Sequence, residues 1–291
     1  MHYTGQVYRH PIEASTPLLE VTAGCSHNKC SFCTMYRETP FCVSPLAHVE
    51  EDLIEMKSMY GNVKRIFLVN GEPFVLATDK LIVIGELINK HFPNIETITC
   101  YASIKSLKNK SVEDLRRLKD LGYNELHIGL ESAYDPAITQ MNKGFTQKEA
   151  YEYLAKVKEA GMSWDAIIMT GVAGKGNGKI HIEQTAKLLN EFPPYLLSLM
   201  TTSVSTGTPL ETMRDQGEFV ECTELEKIEE EIMLLKLIDF EDCYFFGGHN
   251  YNLIPINAHL SKKEEIIKVF EDNIHKIPTH ILHGVKERDN I

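Results

Sequence analysis

No run of the 291-residue sequence stays apolar over the roughly 18 consecutive positions that a membrane-spanning helix requires. The opening MHYTGQVYRHPIEASTP has neither the charged start nor the apolar core of a signal peptide, so a cytoplasmic location without a membrane partner is expected. An excess of positive charge is also missing. Lys and Arg number 30 against 41 Asp and Glu, and the resulting net charge of −11 repels a polyphosphate backbone, which disfavours nucleic acid as a partner. No stretch is rich enough in Pro, Gly or Ser to separate domains, and no internal repeat or low-complexity run interrupts the chain. What remains is average globular usage, 43% hydrophobic and 24% charged, which can bury a core without staples.

For about 200 residues, short β-rich runs alternate with helical patterns, the signature of parallel βαβ units. Strands are predicted over 17–23 (PLLEVTA), 65–70, 96–101, 125–130, 164–170 and 196–203. Apolar residues spaced i, i+3, i+4, i+7 predict crossover helices over 49–60, 81–91, 111–121, 147–160 and 181–191. Pro45 and Ser111 suit helix starts, and Gly61, Gly122 and Gly161 fall where helices should stop. After Pro209 come a charged helix over 224–237, an aromatic and glycine-rich stretch, a last amphipathic helix over 262–277 and a tail, HGVKERDNI, that reads as frayed.

Seven cysteines in a chain of this kind point to metal ligation, catalysis or core packing before disulfides. Cys42, Cys100, Cys222 and Cys243 are scattered and read as core or incidental thiols. Cys25, Cys30 and Cys33, in contrast, crowd into GCSHNKCSFC directly after the first strand. Three thiolates on such a loop can hold three corners of an iron–sulfur cube and leave one iron open, as a catalytic metal centre requires. The same spacing suits a structural zinc completed by His27 or His48, or free thiols, and spacing alone does not choose.

Other strand ends carry polar groups in a fixed order. The second ends in Asn70-Gly71-Glu72-Pro73, which in isolation is an Asn-Gly turn. The fourth runs from His127 through Gly129-Leu130-Glu131-Ser132, with Met141-Asn142-Lys143-Gly144 following. Alone, Lys143 is a solvated lysine before a C-cap glycine, and His127 a core histidine. The fifth leads into GVAGKGNGK, which is no P-loop because no Lys-Ser or Lys-Thr follows at the required offset. The sixth closes on Thr206-Gly207-Thr208-Pro209. Together these motifs resemble the radical S-adenosylmethionine (radical SAM) superfamily, in particular its branch of the elongator catalytic subunit and the methylthiotransferases. Phe32 before the last cysteine matches that pattern, while four residues between Cys25 and Cys30 depart from the usual three.

The resemblance implies an α/β fold, a partial (β/α)6 TIM-type barrel over 15–210, with a lead-in over 1–14 and a C-terminal α+β extension over 211–291. It implies a [4Fe–4S] cluster on Cys25, Cys30 and Cys33 and reductive cleavage of S-adenosylmethionine to a 5′-deoxyadenosyl radical at the C-terminal strand ends. Asn70, Gly71, Glu72 and Pro73 would receive the cofactor's ammonium, Glu131 its ribose, Lys143 its carboxylate, and Met169 and Thr170 its adenine. A flavodoxin or ferredoxin reductant is expected at Lys29 and Arg37 beside the loop, where charge complementarity can guide an acidic donor. The substrate is expected to be a small molecule or peptide, hydrogen-bonded by Tyr101, Ser103, Thr202, His249 and Asn250. The segment 245–252 serves as a cover over the barrel or as a strand and turn. A tRNA-modifying enzyme and a zinc-stabilised, non-catalytic binding protein are the alternatives. The basic stretch Lys105, Lys108, Lys110, Arg116, Arg117 and Lys119, interleaved with acids, reads as a solvated face.

Overall fold

The computed structural model describes residues 1–286 and 288. In chain order the elements are β1 (Leu18–Leu19), β2 (Thr22–Ala23), β3 (Cys42–Val43), α1 (Leu46–Tyr60), β4 (Arg65–Leu68), α2 (Thr78–His91) and β5 (Thr97–Ala102). They continue with α3 (Val112–Asp120), β6 (Glu125–Glu131), α4 (Asp135–Gln140), α5 (Gln147–Ala160), β7 (Ser163–Thr170), α6 (Gly178–Glu191) and β8 (Leu196–Thr201). The remainder holds α7 (Pro209–Asp215), α8 (Glu224–Leu237), β9 (Tyr244–Phe246), β10 (Asn257–His259), α9 (Lys263–Ile274) and α10 (Thr279–Leu282). Two compact units emerge, one of Met1–Asn28, Met35–Gly129 and Glu152–Trp164, the other of Lys29–Thr34, Leu130–Tyr151 and the chain from Asp165 onward.

In the first unit β1, β4, β5 and β6 are parallel neighbours, in registers that include Leu18↔Phe67, Arg65↔Thr97 and Tyr101↔His127. Ile66, Phe67 and Leu68 are all buried, as expected of parallel strands covered on both faces. Helix boundaries follow the local signals. Ser111 and Asp114 form a reciprocal capping box at the start of α3, and Gly61 ends α1. His127 is a core residue, stacked on His10 with ring centroids 4.9 Å apart and with Nε2 3.1 Å from Glu13. Burial pushes the Glu13 carboxyl up, but hydrogen bonds from His127, Arg65 and Thr16 outweigh it and hold the group below its ordinary range.

In the second unit β7 and β8 are parallel from Asp165↔Leu196 to Thr170↔Thr201. β9 adds a further parallel strand to β8, and β10 returns antiparallel to β9, so part of the 245–252 segment is strand. Of the two expectations for that segment, the strand and turn is the one its first residues follow. α6 packs against α8, which in turn packs against α9.

Three other expectations change. The run 17–23 is two short strands, the second of which turns away to pair with β3, Thr22↔Val43. Lys110 does not belong to a solvated face. It is buried, and its ammonium satisfies the carbonyls of Phe74, Leu76 and Ser106 at 2.8, 3.0 and 3.2 Å. The tail is held at buried Arg288, whose Nη1 lies 2.9 Å from Glu224 and whose Nε donates to the Tyr251 carbonyl at 2.7 Å. Residues 287 and 289–291 of that tail lie outside the described residues.

Candidate active site

In the first unit, Cys25 leaves β2 beside the loop that leaves β4. The Gly71 amide donates to the Gly24 carbonyl at 3.0 Å, and a Cβ at Gly71 would lie 2.6 Å from Cys25 Cβ, so only glycine allows this approach. Asn70 is fully buried and has left-handed backbone, φ 75°. Its Nδ2 donates to Glu20 and to the Thr22 carbonyl, both at 3.0 Å, while its Oδ1 is buried without a hydrogen-bond partner. Buried Glu72 accepts from the hydroxyls of Ser26 and Ser103. Pro73 opens the short turn Pro73–Val75, and Ser103 caps Ile104–Leu107. Half-buried Tyr101 packs against the Phe67 ring at 5.3 Å. Between Cys25 and Cys30, Asn28 takes left-handed backbone, φ 42°, a conformation Asn tolerates, and its amide approaches Cys25 Sγ at 3.5 Å.

In the second unit, the segment after α4 clamps the loop that carries Cys30 and Cys33. Ser31 N and Oγ donate to the carbonyls of Met141 and Gln140 at 3.0 and 2.8 Å, and Asn142 Nδ2 donates to the Lys29 carbonyl at 2.8 Å. Lys143 Nζ then pairs with Glu131 Oε1 at 3.0 Å and lies 5.9 Å from the Phe32 ring centroid. Burial alone would lower the Lys143 ammonium. Glu131, with Cys30 and Cys33 nearby, more than offsets this and raises it above its ordinary value. Glu131 has φ 60° at the end of β6, a conformation that a non-glycine residue adopts only under constraint. Phe32 packs against a buried apolar cluster that includes Met141, Met169, Val172 and Leu210. Thr170 is buried, and its carbonyl accepts from the amide of Thr202, whose own Oγ1 is buried without a partner.

The expected site residues therefore form two groups. Cys25, Asn70 to Pro73, Tyr101 and Ser103 belong to the first unit, and Cys30, Phe32, Cys33, Glu131, Lys143, Met169, Thr170 and Thr202 to the second. His249 and Asn250 also belong to the second unit, but among the described residues His249 does not hydrogen-bond to the strand-end groups. The His249 ring instead accepts from the Tyr251 amide at 3.2 Å, and Asn250 is exposed. Asn252 is the residue of that segment tied to the strands, donating to the carbonyls of Leu199 and Gly247, both at 2.8 Å, and accepting from Thr201 at 3.0 Å. Of the other thiols, Cys42 is exposed on β3 and the remaining three are shielded from solvent. Cys100, Cys222 and Cys243 are buried, and burial pushes Cys222 up to about 12.

Sequence reasoning missed Ser26, Ser31, Asn142, His181 and Glu230. Ser26, Ser31 and Asn142 stand inside motifs already singled out, so adjacency to a cysteine or to Lys143 was a usable signal. His181 and Glu230 had none, because a polar residue on the inner face of a crossover helix reads as a defect in its apolar spacing.

The family model described as the Radical SAM superfamily matches residues 19–189, more than half of the chain. Heme chaperone HemW of Bacillus subtilis is 22% identical over 156 residues, which cover 52% of this chain and 41% of that protein. Coproporphyrinogen III oxidase (HemN) from Escherichia coli has a TM-score of 0.59 at 18% identity, with 80% of this chain and 55% of that chain covered. The Elp3 protein of the archaeon Methanocaldococcus infernus has a TM-score of 0.55 at 13% identity, with 90% and 63% covered. This chain spans about two fifths of the HemW sequence. The elongator-type protein stands alongside HemN, so the likeness is to a shared partial TIM-barrel core and not to one branch.

Proposed function

The chain belongs to the radical SAM superfamily, whose cofactors are a [4Fe–4S] cluster and S-adenosylmethionine, and on that premise we propose that Cys25, Cys30 and Cys33 hold the cluster of an enzyme that abstracts hydrogen from a small molecule or peptide. Within this reading 15–210 is the catalytic barrel, 1–14 its lead-in and 211–291 its extension. The observation that carries the reading is the buried Lys143–Glu131 pair on the loop clamp next to Cys30 and Cys33. An ammonium taken out of water needs an anionic partner, and the Glu131 carboxylate provides one beside the cysteine loop.

The residues fit the cofactors. All three thiols are partly exposed and none is in a disulfide, leaving sulfur donors available for iron. The orphaned Oδ1 of Asn70 and the carboxylate of Glu72 offer acceptors to an ammonium, and Lys143 retains donors for a carboxylate besides the one given to Glu131. When bound, the cluster and S-adenosylmethionine supply the electron and the 5′-deoxyadenosyl radical. The protein's part is to orient the cofactor through Glu72, Glu131 and Lys143 and to keep water from it with the apolar wall of Phe32, Met141 and Met169. The substrate is assigned to Tyr101, Ser103, Thr202, His249 and Asn250, and the reductant to the surface of Lys29 and Arg37.

The test is anaerobic reconstitution, with iron, sulfide and zinc quantified, followed by dithionite and S-adenosylmethionine and mass spectrometry for 5′-deoxyadenosine. About four irons and four sulfides per chain are expected in the native protein, and a loss of both in the triple Cys→Ala variant. Colourless, zinc-loaded protein that releases no 5′-deoxyadenosine would overturn the reading.

A further inference from the structure

We propose that Glu230, on α8 and beyond the family-matched segment, is a positioning residue for the adenosyl part of S-adenosylmethionine, acting through the backbone turn that ends β7. The inference rests on the reading above, in which Met169 and Thr170 face the adenine. Glu230 Oε2 accepts the amide of Gly171, the residue after Thr170, at 2.7 Å. Its other oxygen lies so close to Gly178, at the start of α6, that a Cβ there would overlap it. The loop between Gly171 and Gly178 has left-handed glycines at 171, 174 and 176 and no regular structure of its own, so the tether from α8 fixes where β7 ends.

A second tether acts on the same turn. His181 of α6 is buried, and burial pushes it down to about 4, so the ring is neutral and carries one N–H. That N–H, on Nε2, donates to the Met169 carbonyl at 3.2 Å, which leaves Nδ1 to accept the Ser132 hydroxyl at 2.8 Å. Ser132 adjoins Glu131. The strand ends assigned to ribose and adenine are thus joined through His181, and the second of them is anchored by Glu230.

An acid at this position needs a reason. Seating α8 requires only apolar side chains, which Ile228, Leu234 and Leu235 supply. A carboxyl taken out of water is unfavourable unless it answers a donor, and Gly171 N–H is the donor it answers. His181, Cys222, Lys227, Glu226 and Glu231 are the other ionisable groups around it, and none replaces that bond.

The experiment measures equilibrium binding of S-adenosylmethionine to anaerobically reconstituted protein, with 5′-deoxyadenosine and methionine as separate competitors. Glu230→Ala and Gly178→Ala, the latter displacing the carboxyl without removing it, should each weaken S-adenosylmethionine and 5′-deoxyadenosine about tenfold at unchanged iron content. Competition by methionine should not change. Glu230→Gln retains an acceptor and should stay within about twofold of the parent. Unaltered binding in Glu230→Ala, or an equal loss for methionine and 5′-deoxyadenosine, would overturn the positioning role, as would loss of folding in all three variants. Iron-loaded parent protein that binds no S-adenosylmethionine would reject the functional reading itself, and this inference with it.

Discussion

A methyl group added at Gly71 has no space to occupy. Its carbon would lie 2.6 Å from Cys25 Cβ, 2.9 Å from Cys25 Cα and 2.9 Å from the Gly24 carbonyl oxygen. Two of these are backbone atoms that cannot rotate aside, and relaxed carbon contacts need about 3.5 to 4.0 Å, so the two loops must separate by about 1 Å. Overpacking of this kind typically costs about 1 to 3 kcal/mol. The Gly71 to Gly24 hydrogen bond, 3.0 Å long, is stretched by the same movement, which adds about 1 kcal/mol. Gly71→Ala should therefore destabilise the protein by about 2 to 4 kcal/mol, a fall in Tm of roughly 3 to 7 °C for a chain of this size. Because the displaced group is a proposed cluster ligand, iron uptake on reconstitution should fall with it. Gly61→Ala is the control. Gly61 has a positive φ, 68°, and nothing lies within 4 Å of its added Cβ, so only backbone strain of about 1 kcal/mol applies and iron uptake should be normal. Thermal unfolding followed by circular dichroism, with iron and sulfide assays on the same samples, reads both effects. Equal Tm and equal iron content in Gly71→Ala and Gly61→Ala would refute the reasoning.

Three more outcomes are expected. Lys110→Met strips the donor from three carbonyls and should lower stability by about 2 to 3 kcal/mol in urea unfolding, whereas a surface lysine would change it by less than about 0.5. Lys143→Met leaves the Glu131 carboxylate buried without its partner and should weaken S-adenosylmethionine at least about tenfold; adding Glu131→Leu should restore stability but not binding, and restored binding would count against both assignments. Glu230, pushed by burial from 4.5 up to about 7, gives a pH dependence of definite sign. Its stabilising contribution is complete below pH 4.5. From there to about 7 the unfolded chain ionises while the native one stays protonated, so stability declines by roughly 3 kcal/mol at most. Urea curves of Glu230→Gln should lack that decline relative to the parent between about pH 5 and 8, and parallel behaviour of the two would reject it.

The sequence by itself determined the α/β class, the crossover helices and the loop that carries Cys25, Cys30 and Cys33, because periodicity, caps and cysteine crowding are local properties of the chain. It also singled out Asn70 to Pro73, Glu131 and Lys143 as a set. Only the tertiary structure decided what these groups touch. That Lys143 folds back on Glu131 12 positions earlier is a matter of the turn between them, while the convergence of Ser26 and Ser103 on Glu72 and the burial of Lys110 against the Phe74 carbonyl depend on residues brought together from tens of positions away. The parallel addition of β9 and the reach of Glu230 to Gly171 are of the same kind. No pattern within α8 distinguishes Glu230 from its acidic neighbours Glu226 and Glu229, because the partner that gives it a role is an amide 59 positions earlier in the chain. A backbone N–H carries no mark in the sequence, and its need for an acceptor becomes visible only once folding has hidden it from water.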